Sequence, residues 1–146
     1  FESGSPLIYH SDINLAASNK HYHILNYLAN LIPPRLPNQQ AANSAARQGK
    51  IDLLTWLVHH NIYPGLTGIN AAASHGHIKI KKKLNVLPNE IGVIDAIINK
   101  QWYVLLWLIQ EEVELSAVNI NRLIDIGCRY SIIIIYIQIN FQQRML

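Results

Sequence analysis

The sequence predicts an all-α chain, an α-solenoid of about five stacked helix-turn-helix units. Three observations carry this. The stretch from Ala45 to Leu57, Ala-Ala-Arg-Gln-Gly-Lys-Ile-Asp-Leu-Leu-Thr-Trp-Leu, recurs without a gap from Ala16 to Leu28 and from Ala72 to Leu84. Weaker copies run from Ala96 to Leu108 and from Asp125 to Ile137, so the starting positions are 29, 27, 24 and 29 residues apart. Asn14, Asn43 and Asn70 each stand two residues before the Ala pair, and Tyr27, Trp56, Trp107 and Tyr136 share the penultimate slot, where the third copy has Lys83. Self-similarity at a short, nearly fixed period is the mark of supersecondary units that bury their apolar faces by stacking.

Each part of the unit has a physical reading. The small Ala pair lets one helix approach its neighbours closely. Gly49 and Gly76 then let the backbone leave that helix at positive φ; Lys20 and Lys100 hold the same place in the first and fourth copies. A second helix follows, with Ile51, Leu53, Leu54, Trp56 and Leu57 as its apolar stripe and flanks. Pro33-Pro34, Pro64-Gly65 and Pro88-Asn89 close units, because proline cannot continue a helix. The expected units lie near 11–39, 40–66, 67–90, 91–119 and 120–146, about ten short helices with no strand. Residues 1–10, opening Phe1-Glu2-Ser3-Gly4-Ser5, read as a linker or cloning remnant, and the chain as a piece of something longer.

Composition bounds the rest. The 146 residues are 50% apolar and only 14% charged, which supplies a core and excludes intrinsic disorder. A single cysteine, Cys128, excludes a disulfide scaffold and a Cys-rich zinc module. The net charge of +3 is local: Lys79, Lys81, Lys82 and Lys83 form one run, and Glu111, Glu112 and Glu114 another. That is not the broad basic field of a nucleic-acid binder. No apolar run is long enough to span a membrane.

The repeat resembles the ankyrin repeat. Asn70-Ala71-Ala72-Ala73-Ser74-His75-Gly76-His77-Ile78 is similar to the family's stretch from a Thr-Pro-Leu-His start through Ala-Ala-x-x-Gly-His, and Asn43 to Ile51 is similar with Lys50 for the His. Thr67 and Ser11 fall where the family has its helix-starting Thr, an N-cap. Asn14, Asn43 and Asn70 replace the family's His and can bond to neighbouring backbone. The match is closest over residues 40–85, looser over 11–32 and weakest beyond 90. The family period is about 33 residues; the shortfall here falls where the family builds its hairpin fingers, so short turns are expected instead.

The resemblance implies a protein-binding module whose partner lies on the concave surface, in the cytoplasm, or in the host cytoplasm for a secreted bacterial effector. Carried onto this sequence, the contact residues are Ser18, Asn19, Arg47, Gln48, Ser74, His75 and Asn99, with Asn38, Gln39, Tyr63, Leu66 and Asn89 from the loops. The run Lys79 to Lys83 is the rival site, for RNA or phospholipid, although no aromatics interleave with it as RNA recognition favours. Lys81 and Lys83 take slots that are apolar in other copies, so the third outer helix should be short or bent, with both amines in solvent. A third reading is a structural spacer.

No catalytic motif is present. The pairs His21/His23, His59/His60 and His75/His77 lack the third and fourth ligands zinc requires, and no glycine-rich phosphate loop or nucleophile-base pattern occurs. Neither enzyme nor cofactor is expected. Ile132 to Ile137 forms a near-continuous apolar run, expected to be covered by self-association or by a neighbouring domain.

Overall fold

The computed structural model describes residues 9–111 and 115–125, without the side chains of Lys81, Lys82, Ile120 and Ile124. Among the described residues the chain is all α, with no strand. The helices are α1 (His10–Ser18), α2 (Tyr22–Ala29), α3 (Gln39–Arg47), α4 (Ile51–His59), α5 (Leu66–Ser74), α6 (Ile78–Leu84), α7 (Glu90–Ile98), α8 (Trp102–Gln110) and α9 (Ala117–Asp125). They pack as successive pairs. The inner helices α1, α3, α5, α7 and α9 each contact the next in that order, and α2, α4, α6 and α8 each lie against the inner helix before them.

Ala17, Ala42, Ala45, Ala46, Ala72, Ala73 and Ala96 are all buried, so the small pairs do sit where inner helices meet. From the outer helices, Leu25, Leu54 and Leu105 occupy one repeating slot, and Leu28, Leu57 and Leu108 another. All six are core residues. The core forms two clusters that divide within α5, Ala72 belonging to the first and Ala73 to the second.

One turn is built four times. After α3, Gly49 N–H donates to Ala46 and Lys50 N–H to Ala45, which satisfies two orphan carbonyls in a Schellman motif. The same pair of bonds follows α1, α5 and α7. The residue between helices has positive φ each time: 59° at Lys20, 67° at Gly49, 80° at Gly76 and 56° at Lys100. The next residue then bends the chain through an i→i+2 bond, such as Ile51 N–H to Gly49. Glycine meets a second demand here, because a Cβ on Gly49 would fall 2.7 Å from the His77 ring.

Helix starts differ from the sequence expectation. The N-caps are Tyr9 and Gly65, not Ser11 and Thr67, which lie inside their helices. The reason is a joint between units. Asn14 Oδ1 accepts from Asn38 N–H at 3.1 Å, Asn43 Oδ1 from Gly65 N–H at 2.8 Å, and Asn70 Oδ1 from Asn89 N–H at 3.1 Å. Each acceptor lies in the middle of one inner helix and fixes the N-cap of the next. Pro37, Pro64 and Pro88 immediately precede those N-caps. Pro64 and Pro88, which looked like unit ends, therefore introduce the following helix, whereas Pro33-Pro34 lie in the connection after α2. The first unit has no such predecessor among the described residues, and its Tyr9 N–H donates instead to Asp12 of its own first turn.

Counting from the N-caps re-registers the fifth unit. Ser116, whose hydroxyl accepts from Asn119 N–H, precedes α9. The count then puts Asn121 in the column of Asn14, Asn43 and Asn70, and buried Leu123 in the column of Ala16, Ala45, Ala72 and Ala96. The sequence alignment had started this copy two residues later, at exposed Asp125. At this joint Ile94 replaces the asparagine, and Glu90 accepts from the Ser116 hydroxyl at 2.8 Å. Tyr136, Cys128 and the run Ile132 to Ile137 lie outside the described residues.

Tyr22 is a local defect in this packing. Its hydroxyl is buried and, among the described residues, has no hydrogen-bond partner. Burial, and then the Asp52 carboxylate, push its pKa up. The folded state thus holds the phenolic proton more tightly than the unfolded chain does. Its contribution to stability is present below pH of about 10 and falls as pH rises above that. Tyr22→Phe should raise stability by about 1 kcal/mol and remove that loss, read by thermal melts at pH 7 and pH 10.5.

Candidate functional site

Residues four and seven apart share a helix face, and one such face of every inner helix points to solvent. On α3 it carries Gln40, Ser44 and Arg47, followed by Gln48 at the C-cap. The equivalent positions are Ser11, Leu15, Ser18 and Asn19 on α1, Thr67, Ala71, Ser74 and His75 on α5, and Ile91, Asp95, Ile98 and Asn99 on α7. The carried-over contact residues thus occupy matching places at the ends of consecutive inner helices. Asn19, Arg47, Gln48, His75 and Asn99 are exposed.

Two of the predicted residues do not present freely. Ser74 is buried, and its hydroxyl donates to the Ala71 carbonyl at 2.9 Å, so the expectation that it lines the exposed face is corrected. Ser18 is half-buried and donates in the same way to Asn14. Short serines bend back to helical carbonyls, whereas Arg47 and Gln48 are long enough to reach out.

The helix ends beneath this face are tied to the following unit. Lys50 Nζ donates to the Ser18 carbonyl at 2.9 Å. His77, one repeat later, donates through Nε2 to the Arg47 carbonyl at 3.1 Å. Both satisfy the last carbonyl of the preceding inner helix, and Lys50 brings a positive charge to the negative end of its dipole. Of the contacts expected in loops, Tyr63 is exposed between helices, whereas exposed Gln39 and Leu66 are the first residues of α3 and α5. Asn38 and Asn89, expected as contacts, are N-caps engaged by Asn14 and Asn70.

Other histidines are also occupied by structure. His60 donates to the Trp56 carbonyl and stacks on the Trp56 ring at 3.9 Å. His75 donates to the Ala71 carbonyl at 2.8 Å. Among the described residues no three His, Cys, Asp or Glu side chains converge as a metal site. A cavity of about 20 Å³, room for one water, lies between the third and fourth units, and its lining is mostly apolar, with Ile69, Ala72, Ile80, Val104 and Trp107 beside His77.

The lysine run lies on α6. This helix has 7 residues where α2 has 8 and α4 and α8 have 9. Lys79 and Lys83 are exposed. Lys83 takes the slot where Trp107 is buried and Trp56 donates to Asn26 Oδ1 at 2.8 Å. The side chains of Lys81 and Lys82 lie outside the described residues. Lys81 follows Leu25 and Leu54 and precedes Leu105 in a slot that is fully buried in those three units.

Sequence reasoning missed two things. It took the asparagines as local backbone partners when they link units. The signal was the Pro before Asn38, Gly65 and Asn89, five residues ahead of each position in the asparagine column. It also passed over Ile91 and Ile98, which stand where α3 has Gln40 and Arg47.

Among the described residues no helix is long and apolar enough to cross a membrane. In comparisons with known proteins, no family model, no curated protein and no solved structure matches this chain.

Proposed function

We propose that the chain is a non-enzymatic protein-interaction module. In this reading it is an α-solenoid of short ankyrin-like repeats that binds another protein on the exposed face of its inner helices. The observation that carries the reading is one turn geometry used four times in succession, with exposed Asn19, Gln48, His75 and Asn99 at the C-caps of α1, α3, α5 and α7. A surface held by repeated backbone bonds costs little ordering on binding. Its side chains vary from unit to unit while the scaffold does not, as a recognition surface needs. A cytoplasmic setting, or host cytoplasm for a secreted bacterial effector, rests on the family resemblance alone.

The test is a pair of charge reversals. Arg47→Glu with His75→Glu should weaken partner binding about tenfold or more, with an unchanged melting temperature. Undiminished binding would contradict the reading. The rival is an anionic ligand, RNA or phospholipid, held by Lys79 to Lys83; its support is that Lys79 and Lys83 are exposed one turn apart on α6. A salt titration separates the two. Phosphate binding collapses between 50 and 200 mM salt, by about a thousandfold for six contacts, and a mixed protein interface weakens far less.

A further inference from the structure

The inner-helix face changes character at α7. Its counterparts on α3 and α5 are polar or small, but Ile91 is 61% exposed and Ile98 51% exposed, two turns apart on one face. Val118, at the position of Ile91 on the adjacent α9, is 53% exposed. Asp95 lies between the two isoleucines. It is half-buried, and among the described residues no side-chain hydrogen bond or ion pair reaches its carboxylate. It also sits in the second half of α7, where the helix dipole disfavours an anion, and no basic residue occupies the last turn. The matching positions on α1, α3 and α5 are Leu15, Ser44 and Ala71, so an acid here is peculiar to α7; on the adjacent α9 the position holds exposed Arg122, which forms no ion pair with Asp95 among the described residues.

We infer that this face docks an amphipathic helical segment of the partner, with two apolar side chains two turns apart and a basic residue between them. The inference rests on the interaction reading above and specifies which part of the surface is used and by what chemistry. Spacing selects a helix. Seven residues of helix advance about 10.5 Å, so Ile91 and Ile98 face a partner repeat of the same rise. An extended strand presents one face about every 6.6 Å and meets only one of the two isoleucines in register. Charge selects the residue between: no cation pairs with Asp95 among the described residues, so a partner cation set against it gains an ion pair, and an acidic residue there would be repelled.

The experiment uses a synthetic 18-residue helical peptide with leucines at i and i+7 and lysines at i+3 and i+4. A second peptide has glutamates in place of the lysines. Fluorescence anisotropy with the intact chain should show the lysine peptide binding at least about tenfold tighter. Asp95→Asn should reduce lysine-peptide affinity about fivefold and leave the glutamate peptide unchanged or tighter. Ile98→Asn should weaken both about tenfold, and Arg47→Glu, on the α3 part of the face, neither. Both α7 positions are partly or largely exposed, so the variants should keep the parent melting temperature. Equal affinity for the two peptides, or indifference to Ile98→Asn, overturns the inference. If that happens while Arg47→Glu still weakens partner binding, only the α7 assignment falls; if Arg47→Glu has no effect on partner binding either, the interaction reading falls with it.

Discussion

Leu53→Ala should destabilise the protein by about 2–5 kcal/mol, whereas Ile24→Ala should cost less than about 1 kcal/mol. The two residues hold the same slot in their outer helices, the fourth after Gly49 and after Lys20. Their chemistry is alike, and their surroundings are not. Leu53 is 1% exposed and Ile24 39% exposed, because the second unit has a preceding unit beside it and the first has none among the described residues. Deleting Leu53 leaves a cavity between two packed units, and the backbone bonds of the turn limit its collapse. Deleting Ile24 opens a notch that water fills. Urea unfolding of both variants measures the contrast. Equal losses would mean that Ile24 is enclosed as fully as Leu53, against the packing described.

Gly68→Ala should lower stability by about 1–3 kcal/mol, against the usual gain of about 1 kcal/mol for alanine over glycine inside a helix. The sign is decided by space. A Cβ at Gly68 would fall 2.6 Å from Asn43 Oδ1 and 2.8 Å from the Asn43 Cα, and a backbone atom has little freedom to give way. The asparagine would be pushed off the Gly65 N–H that it accepts from. Gly65→Ala is the control. Its Cβ would meet only the end of the Gln39 side chain, at 3.3 Å or more, which can swing aside. Thermal melts should show Gly65→Ala losing only the N-cap preference of glycine over alanine, about 0.5–1 kcal/mol, and Gly68→Ala falling below it.

These effects show where the sequence was legible. The helices of the first four units followed from the Ala pairs, the glycines and the leucine columns, because each is a local rule repeated until chance is excluded. The joints did not follow. Nothing local to Asn43 shows that its partner is the N–H of Gly65, 22 residues away. The fifth unit was misplaced by two residues because apolar identity was aligned, and isoleucine runs match several registers equally well. The N-cap, fixed by geometry, has only one. The candidate face was legible by position but not by exposure. Ser18, Arg47 and Ser74 occupy the same place in their helices, yet they are half-buried, exposed and buried in turn. Ile91 and Ile98 were passed over because apolar residues in a helix are first assigned to the core.

The central claim, that binding uses the inner-helix face, is most directly tested by site-specific photo-crosslinking in the cell that makes the protein. A photoreactive amino acid is placed at Gln48, His75 and Ile98 on that face, and at Asp52, Lys79 and Tyr103 on the outer helices, all six positions exposed. The account predicts one shared adduct from the first three positions and none from the last three. Adducts from Asp52, Lys79 or Tyr103, with the inner positions silent, would contradict it.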